Sequence, residues 1–272
     1  MNFGLIIIGD EILSGKRADK HLAKTIELLG ARGLSLAWAR YVGDDPERIT
    51  ADLREALQAA RAGDVVFSCG GIGATPDDHT RQCAARAQGV PLALHPQAAD
   101  LIRERMRDVA REQGVAYEPD RADNVHRLNM GVFPEGARII PNPYNKIPGF
   151  SLHPGGSGGV YFVPGFPVMA WPMIEWVLDT HCAGAKRMQG VRERSVIVFG
   201  SMEATLTPLM ERLEAEFDGI KVFSLPSVDH PQWGRHIELG VKGDPDRLEA
   251  AYGVLLAGLR ALRVELGPEL VR

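Results

Sequence analysis

The sequence predicts an α/β protein whose first domain is built on a parallel, doubly wound sheet and whose second domain is smaller. Up to about residue 90, short apolar segments alternate with longer segments of helical spacing, an order typical of βαβ units. A separate alternation begins near residue 195 and spans about eighty residues, which is enough for a small domain. We therefore expect residues 1–185 to form the first domain and residues 190–272 the second.

The first three strands are predicted to alternate with three helices. The apolar strand Phe3–Ile8 comes first, and a helix over Ala18–Arg32 follows, with Leu22, Ile26 and Leu29 on one face. The next elements are strand Leu34–Val42, helix Pro46–Ala62, strand Val65–Cys69 and helix Pro76–Gln88. Because crossovers in such sheets are right-handed, the carboxyl ends of these strands are expected at one common edge.

The rest of the first domain is predicted to contain helices on both sides of a proline-rich region. A charged helix covers Gln97–Gln113 and a short one Asp120–Leu128. Prolines between residues 134 and 167 separate short strands, and the glycines of 155–159 are typical of a hairpin tip. Val168–His181 returns to helical spacing.

The second domain is predicted as a βαββα unit that follows a polar linker over Lys186–Arg194. Its elements are strand Val196–Phe199, helix Thr205–Phe217, strands Lys221–Leu225 and Gly234–Val241, and helix Asp246–Leu262.

Composition limits the classes of partner. The chain has 272 residues, 31 of them basic and 35 acidic, and its net charge of −4 gives no electrostatic reason to expect nucleic acid. No apolar stretch approaches the roughly 20 residues that a bilayer requires, so we expect no membrane partner. Three widely spaced cysteines without a CxxC pair indicate buried thiols and a cytoplasmic location.

Three loops rich in glycine and acidic residues follow the first three strands: Gly9–Gly15, Gly43–Pro46 and Gly70–Thr80. Doubly wound folds bind ligands at this edge of the sheet. Glycine amides together with a helix N-terminus form an anion site. Carboxylates beside a phosphate repel it unless a cation lies between them, so these loops indicate Mg²⁺.

The same acidic residues also fit ordinary helix starts. Thr75–Asp78 has the order of a capping box with Thr75 as the N-cap, and Asp45 is an N-cap before a proline. Asp44 precedes the N-cap residue Asp45 and is free to point into a cleft. Asp10 has no capping role outside its own turn. A ligand site and plain helix caps are both open at this point.

The glycine-rich segment matches neither a P-loop nor a Rossmann fingerprint. Instead, Asp10–Gly15, Val42–Asp45 and Gly70–Thr80 resemble the molybdopterin-binding domain shared by MoaB, Mog and gephyrin. The chain is most similar to the N-terminal half of CinA-type competence/damage-inducible proteins, through Pro134–Ala137, Pro141–Pro143, Pro148–Phe150 and Val163–Pro167. The resemblance covers about residues 3–180. It implies a Mog-like three-layer α/β/α domain with a mostly parallel sheet.

The resemblance also implies a ligand and the residues that hold it. The ligand is molybdopterin or an ADP-containing nucleotide, bound with Mg²⁺, and such domains self-associate, so we expect a homo-oligomer. Asp44 and Asp78 are the expected catalytic residues, and together with Asp10 they are the expected metal ligands. The residues expected to contact the ligand or its phosphate are Gly9, Ser14, Gly70, Gly71, Gly73, Thr75, Pro164 and Gly165.

Two departures from the CinA-type pattern bear on turnover. Val168-Met169-Ala170 places apolar side chains where those sequences have Ser-Glu-Met, at the loop expected to close over the ligand. Asn145-Lys146 stands where the family has Gly-Thr, and Lys146 either contacts phosphate or lies in solvent.

Three functions follow as hypotheses. The leading one is a molybdopterin-binding-type protein that binds a phosphorylated pterin or nucleotide with Mg²⁺, in molybdenum cofactor biosynthesis. The second is a CinA-type, metal-dependent ADP-ribose pyrophosphatase. The third is a non-catalytic interaction protein on the same fold.

Overall fold

A six-stranded sheet organises the first part of the chain in the computed structural model, which describes residues 1–184 and 192–271. The strands of this part are β1 (Phe3–Ile8), β2 (Leu36–Val42), β3 (Val65–Cys69), β4 (Leu92–Leu94), β5 (Val132–Pro134), β6 (Arg138–Ile140), β7 (Gly149–Leu152) and β8 (Gly159–Val163). The order in the sheet is β2-β1-β3-β8-β7-β6. Strands β2, β1, β3 and β8 are parallel, and β7 and β6 extend the sheet in antiparallel fashion. Strands β4 and β5 form a separate antiparallel pair.

Helices cover both faces of this sheet. They are α1 (Asp10–Leu13), α2 (His21–Gly30), α3 (Pro46–Arg61), α4 (Thr80–Gln88), α5 (Pro96–Glu112), α6 (Ala122–Arg127), a 3₁₀ helix (Leu128–Gly131) and α7 (Pro167–His181). Phe3, Leu5 and Ile7 of β1 are buried in the cluster that includes α2 and α7, whereas Ile6 and Ile8 are buried in the cluster that includes α3 and α4. A strand that is apolar on both faces is typical of a parallel sheet between two helix layers. The predicted three-layer α/β/α class is confirmed.

Two predictions for the helices of this part were wrong in detail. Helix α4 begins at Thr80 rather than Pro76, because residues 75–78 form a separate turn in which the Asp78 N–H donates to the Thr75 carbonyl. On α2 the buried face passes through His21, Thr25 and Leu29, while Ile26 is 51% exposed. Counting only apolar residues missed this face because two of its members are polar.

The hairpin predicted around residues 155–159 is present between β7 and β8, and its glycines allow close packing. A Cβ on Gly158 would lie 2.2 Å from the Asp64 carbonyl oxygen, and one on Gly156 would lie 2.8 Å from the Arg61 carbonyl oxygen. Glycine is thus needed where this tip meets the end of α3.

The second part of the chain forms its own compact unit. Its elements are β9 (Arg192–Phe199), α8 (Glu203–Glu216), β10 (Lys221–His230), β11 (Gly234–Gly243), α9 (Pro245–Ala261) and β12 (Glu265–Val271). The four antiparallel strands have the order β10-β11-β9-β12, and α8 and α9 contribute to one apolar core with β9 and β11. The domain limits predicted at residues 185 and 190 lie outside the described residues.

Two further predictions were wrong in this unit. The linker was predicted to extend to Arg194, but β9 already begins at Arg192; residues 185–191 lie outside the described part. The βαββα prediction also omitted β12, whose sequence contains Gly267 and Pro268. The register shifts between Leu266 and Glu269, and β12 is an edge strand, which is where a proline is tolerated in a sheet.

The three cysteines are buried and unpaired, as predicted. Within residues 1–184 and 192–271, no helix has the length and apolar character needed to cross a membrane.

Candidate functional site

The carboxyl ends of four parallel strands meet at one edge of the first sheet. Ile8 pairs with Val42, and Cys69 pairs with both Ile7 and Val163, so the loops that follow β1, β2, β3 and β8 start side by side. They surround a cleft of about 420 Å³. The convergence of the first three loops was predicted from the sequence. The fourth loop contains the predicted Pro164 and Gly165.

The glycine-rich loop after β3 forms one wall of this cleft and is shaped by close backbone approach. At Gly70, φ is 105° and a Cβ would lie 2.3 Å from the Ile8 carbonyl oxygen. At Gly71, φ is 67° and a Cβ would lie 2.2 Å from the Thr80 hydroxyl oxygen. Thr80 fastens the loop, since its hydroxyl donates to the Gly70 carbonyl and its N–H to the Gly71 carbonyl. Side chains are excluded at both glycines.

Some of the amides predicted to cradle phosphate already have partners. The Gly70 N–H donates to the Val163 carbonyl, the Gly9 N–H to the Val42 carbonyl, and the Thr75 N–H to the Asp78 carboxylate at 2.8 Å. Among the predicted glycines of this loop, the N–H groups of Gly71 and Gly73 have no assigned acceptor within the described residues. Amide contacts to an anion would therefore fall to these two positions.

Asp10 and Asp44 join the first two loops by a reciprocal exchange. The Asp10 N–H donates to Oδ2 of Asp44 at 2.9 Å, and the Asp44 N–H donates to Oδ1 of Asp10 at 3.1 Å. A Cβ on Gly43 would lie 2.5 Å from that Asp10 oxygen, so a larger residue there would displace the Asp10 carboxylate. Asp45, one residue further on, caps α3 as predicted by accepting from the N–H groups of Glu47 and Arg48. Asp44 is left facing the cleft.

Negative charge dominates the cleft. Its lining contains four carboxylates and one cation, the Arg17 guanidinium, among the residues that the structure describes. Partial burial raises the pKa of Asp44, and the charges of Asp10, Glu11 and Asp77 raise it further, against the lowering effect of the Asp10 N–H. A bare phosphate would be repelled here unless a cation accompanied it.

The donors of the cleft suit a hard cation that brings some of its own ligands. No group of three or more His, Cys, Asp or Glu side chains is arranged to hold a metal ion in the described parts of the chain. Asp10 and Asp44 nevertheless form an adjacent carboxylate pair, and Mg²⁺ needs only one or two protein carboxylates besides phosphate oxygens and water. Asp78 is less suited, because its Oδ2 accepts from both the N–H and the hydroxyl of Thr75.

The fourth loop carries an exposed aromatic side chain to the rim of the cleft. Phe166 is 55% exposed, and the Arg17 guanidinium carbon lies 5.7 Å from its ring centre. Arg17 is also 3.7 Å from Glu11. The carbonyl of Gly165 is bound by the buried His21 ring nitrogen Nε2 at 3.0 Å, which holds this loop against α2. Arg17, Glu11 and Phe166 were not predicted as site residues. The signal available for Arg17 was the basic pair Lys16-Arg17 directly after the first loop.

The two differences from the CinA-type pattern, at Asn145-Lys146 and at Val168–Ala170, lie in different surroundings. Lys146 is partly exposed to solvent, and its Nζ lies 2.6 Å from carboxylate oxygens of both Glu104 and Asp108 on α5. Those hydrogen bonds raise the pKa of Lys146. Its contact with a phosphate stays a prediction. Of the apolar segment only Met169 lines the cleft.

Two predicted site residues lie outside the cleft lining. Ser14 is exposed at the end of α1, and Asp10 contributes through its exchange with Asp44. The other predicted residues all line the cleft, namely Gly9, Asp44, Gly70, Gly71, Gly73, Thr75, Asp78, Pro164 and Gly165.

Comparison with known sequences agrees with this architecture. A family described as a probable molybdopterin-binding domain matches residues 4–182. A CinA-like protein of Anaeromyxobacter sp. (strain K) is 35% identical over 179 residues, which cover 65% of this chain and 40% of that protein. A CinA-like protein of Geobacter metallireducens is 32% identical over 225 residues, covering 82% of this chain and 51% of that protein. The matched part is thus about half of these relatives or less.

Among solved structures, a protein from Thermoplasma acidophilum described as CinA with unknown function is similar to this chain. The two share 26% identity with a TM-score of 0.53, over 66% of this chain and 98% of that one.

Proposed function

This chain belongs to the family of probable molybdopterin-binding domains, and on that premise we propose that its cleft binds a phosphorylated pterin or nucleotide together with Mg²⁺. The observation that carries the proposal is that a glycine-rich loop and Asp44, which is joined to Asp10 by reciprocal hydrogen bonds, line one cleft of about 420 Å³. A pocket of this size suits a small organic ligand. Gly71 and Gly73 offer N–H groups for a phosphate.

The Mg²⁺ part of the proposal rests on the charge of the cleft. With Glu11, Asp44, Asp77 and Asp78 in the lining, a phosphate ligand requires positive charge beyond that of Arg17. Asp44 and Asp10 are the residues that would hold the cation. When bound, Mg²⁺ supplies neutralisation of the phosphate charge. Arg17 adds a cation that stands beside the exposed ring of Phe166, where a pterin or base would stack.

A metal-dependent ADP-ribose pyrophosphatase is the second candidate. It is favoured by the pairing of Asp10 with Asp44 at the loop edge, because two carboxylates on one cation are typical of phosphoryl chemistry. In that case Asp44 serves catalysis as well as binding. A role in molybdenum cofactor biosynthesis would instead follow if the bound ligand is a pterin.

The test combines calorimetric titration with phosphorus NMR. ADP-ribose and AMP are titrated into the full chain with Mg²⁺ and again with EDTA, and retained pterin is measured by its fluorescence after oxidation. We expect binding that needs Mg²⁺ and that weakens at least tenfold in Asp44→Asn, about 1.4 kcal/mol. The matched control is Asp45→Asn, which keeps the helix cap because asparagine is an equally good N-cap.

The outcomes separate the candidates. New monophosphate signals from ADP-ribose that disappear in Asp44→Asn would establish a pyrophosphatase. Binding without new signals would favour a binding protein. If neither nucleotide binds in the presence of Mg²⁺ and no pterin is retained, the proposal is wrong and the non-catalytic interaction role becomes the leading one.

A further inference from the structure

A second cavity, of about 350 Å³, adjoins the glycine-rich loop and shares Ala74, Thr75 and Asp78 with the cleft. One part of its surface is apolar and another part is polar. The apolar side chains include Pro76, Leu92 and Val132, and the polar ones, besides the shared Thr75 and Asp78, are Arg81, Gln82, His126 and Asn129.

Arg81 is the unusual member of this lining, because its side chain is nearly inaccessible to water. The residue is only 5% exposed. Its Nη1 donates to the Asn129 carbonyl and its Nη2 donates to the Gly73 carbonyl at 2.6 Å. Within the described residues, the buried Nε has no hydrogen-bond partner. A guanidinium has five N–H donors, so these carbonyls leave part of its capacity unused.

The charge of Arg81 also has no direct ion-pair partner among the described residues. No carboxylate of the described chain lies within ion-pair distance of it, and burial lowers its pKa while the more distant Asp78 raises it. Proteins rarely bury a cation without an anion beside it, because the desolvation cost is large. Two neutral carbonyls meet this cost only in part.

The neighbouring polar groups are already engaged. Oδ2 of Asp78 accepts from the N–H and the hydroxyl of Thr75. His126 Nε2 lies 3.1 Å from the Ala74 carbonyl, and its Nδ1 lies 3.4 Å from the Asn129 amide nitrogen. Within the described residues, the Arg81 guanidinium thus keeps a buried N–H donor without an acceptor.

We propose that this cavity is a binding site for the anionic group, carboxylate or phosphate, of a small ligand with an apolar part, and that Arg81 is the cation that holds it. A planar guanidinium matches both anions geometrically. Pro76, Leu92 and Val132 would cover the apolar part. Since Asp78 also lines the cavity, a singly charged anion is favoured over a dianion.

Arginine side-chain NMR tests the proposal on the full chain. The Nε–H signal of Arg81 is assigned by its loss in Arg81→Lys and followed during titration with benzoate and with phenyl phosphate, at constant ionic strength. These probes share one apolar ring and distinguish a carboxylate from a phosphate. We expect a saturable shift of the Arg81 signal, larger at equal concentration for the preferred anion. The signal of Arg86, an exposed arginine on the same helix, should not move.

Two variants complete the test. Arg81→Met should weaken binding of the preferred probe at least tenfold, whereas Arg86→Met should leave it unchanged. Asp44→Asn should leave the Arg81 response intact, even though it impairs the proposed Mg²⁺-dependent ligand binding in the cleft. The site is ruled out if neither probe shifts the Arg81 signal saturably, or if the shift disappears in Asp44→Asn.

Discussion

Adjacent aspartates of the second loop have different tasks. The position of Asp45 before a proline predicts that it caps α3. The hydrogen bonds from the N–H groups of Glu47 and Arg48 to its carboxylate confirm this role. Asp44 precedes the cap, binds the Asp10 N–H and stands among other carboxylates. Ionised Asp44 is therefore kept at a cost in stability, which is typical of residues that serve a site.

This cost predicts a pH-dependent effect of Asp44→Asn. Because the pKa of Asp44 is raised in the folded protein, ionisation opposes folding at neutral pH, and this penalty is lost as the pH falls through the folded value towards the unfolded one. We expect Asp44→Asn to raise the Tm by on the order of 1–2 °C at neutral pH, since the group is partly exposed. The gain should vanish below about pH 4.

Scanning calorimetry across this pH range measures the effect. Asp45→Asn is the control, and it should not raise the Tm, because a carboxylate at a helix N-terminus is favourable. A lower Tm for Asp44→Asn at neutral pH would contradict the account of Asp44.

At the scale of elements, the link between β3 and α4 shows tertiary contacts overriding a local signal. Thr75–Asp78 has the sequence of a helix start, and Asp78 does accept from the Thr75 N–H as in a capping box. The helix nevertheless begins at Thr80, which is tied to the carbonyls of Gly70 and Gly71. The turn over residues 75–78 is thereby held apart from α4 and placed between the two cavities.

This arrangement predicts different effects for two substitutions of Asp78. Asp78→Ala leaves the Thr75 N–H without its acceptor and should lower the free energy of unfolding by about 1 kcal/mol, as for a lost cap. Asp78→Asn keeps a side-chain oxygen for that bond and should lower it less. Urea unfolding measures both, and equal losses would show that the hydrogen bond does not stabilise the turn.

Measuring the affinity of Asp78→Ala and Asp78→Asn for the Mg²⁺-dependent ligand separates the effect of the carboxylate charge from the effect of the shape of the turn. If the carboxylate charge itself contributes to Mg²⁺-dependent binding, Asp78→Asn loses affinity as well as Asp78→Ala. If Asp78 acts only by shaping the turn, Asp78→Asn binds like the native chain.

At the scale of the whole molecule, the chain has separate cores. Two buried clusters lie on opposite faces of the first sheet, and a third consists entirely of residues between Val196 and Leu259. That third core includes Leu239, which is fully buried. A unit with its own core and a four-stranded sheet has what independent folding requires.

We therefore expect residues 192–271 to fold when produced alone. Circular dichroism should show helix and strand with one cooperative thermal transition. Leu239→Ala should destabilise this fragment by about 2–5 kcal/mol, the usual cost of emptying a core position. A fragment without a cooperative transition would show that its stability depends on the first unit.

The sequence alone determined the alternation of strands and helices, the parallel doubly wound sheet, the capping role of Asp45 and the meeting of glycine-rich and acidic loops at one sheet edge. These features depend on local periodicity and on the rule that parallel strands end at a common edge. Only the tertiary structure decided that Lys146 pairs with Glu104 and Asp108, that Arg17 enters the cleft, and that Arg81 is buried without an anion. Long charged side chains contact partners that are far away in sequence, and spacing along the chain does not predict such contacts. The edge strand β12 was not predicted because it forms by pairing with β9, and its own sequence has no clear strand periodicity.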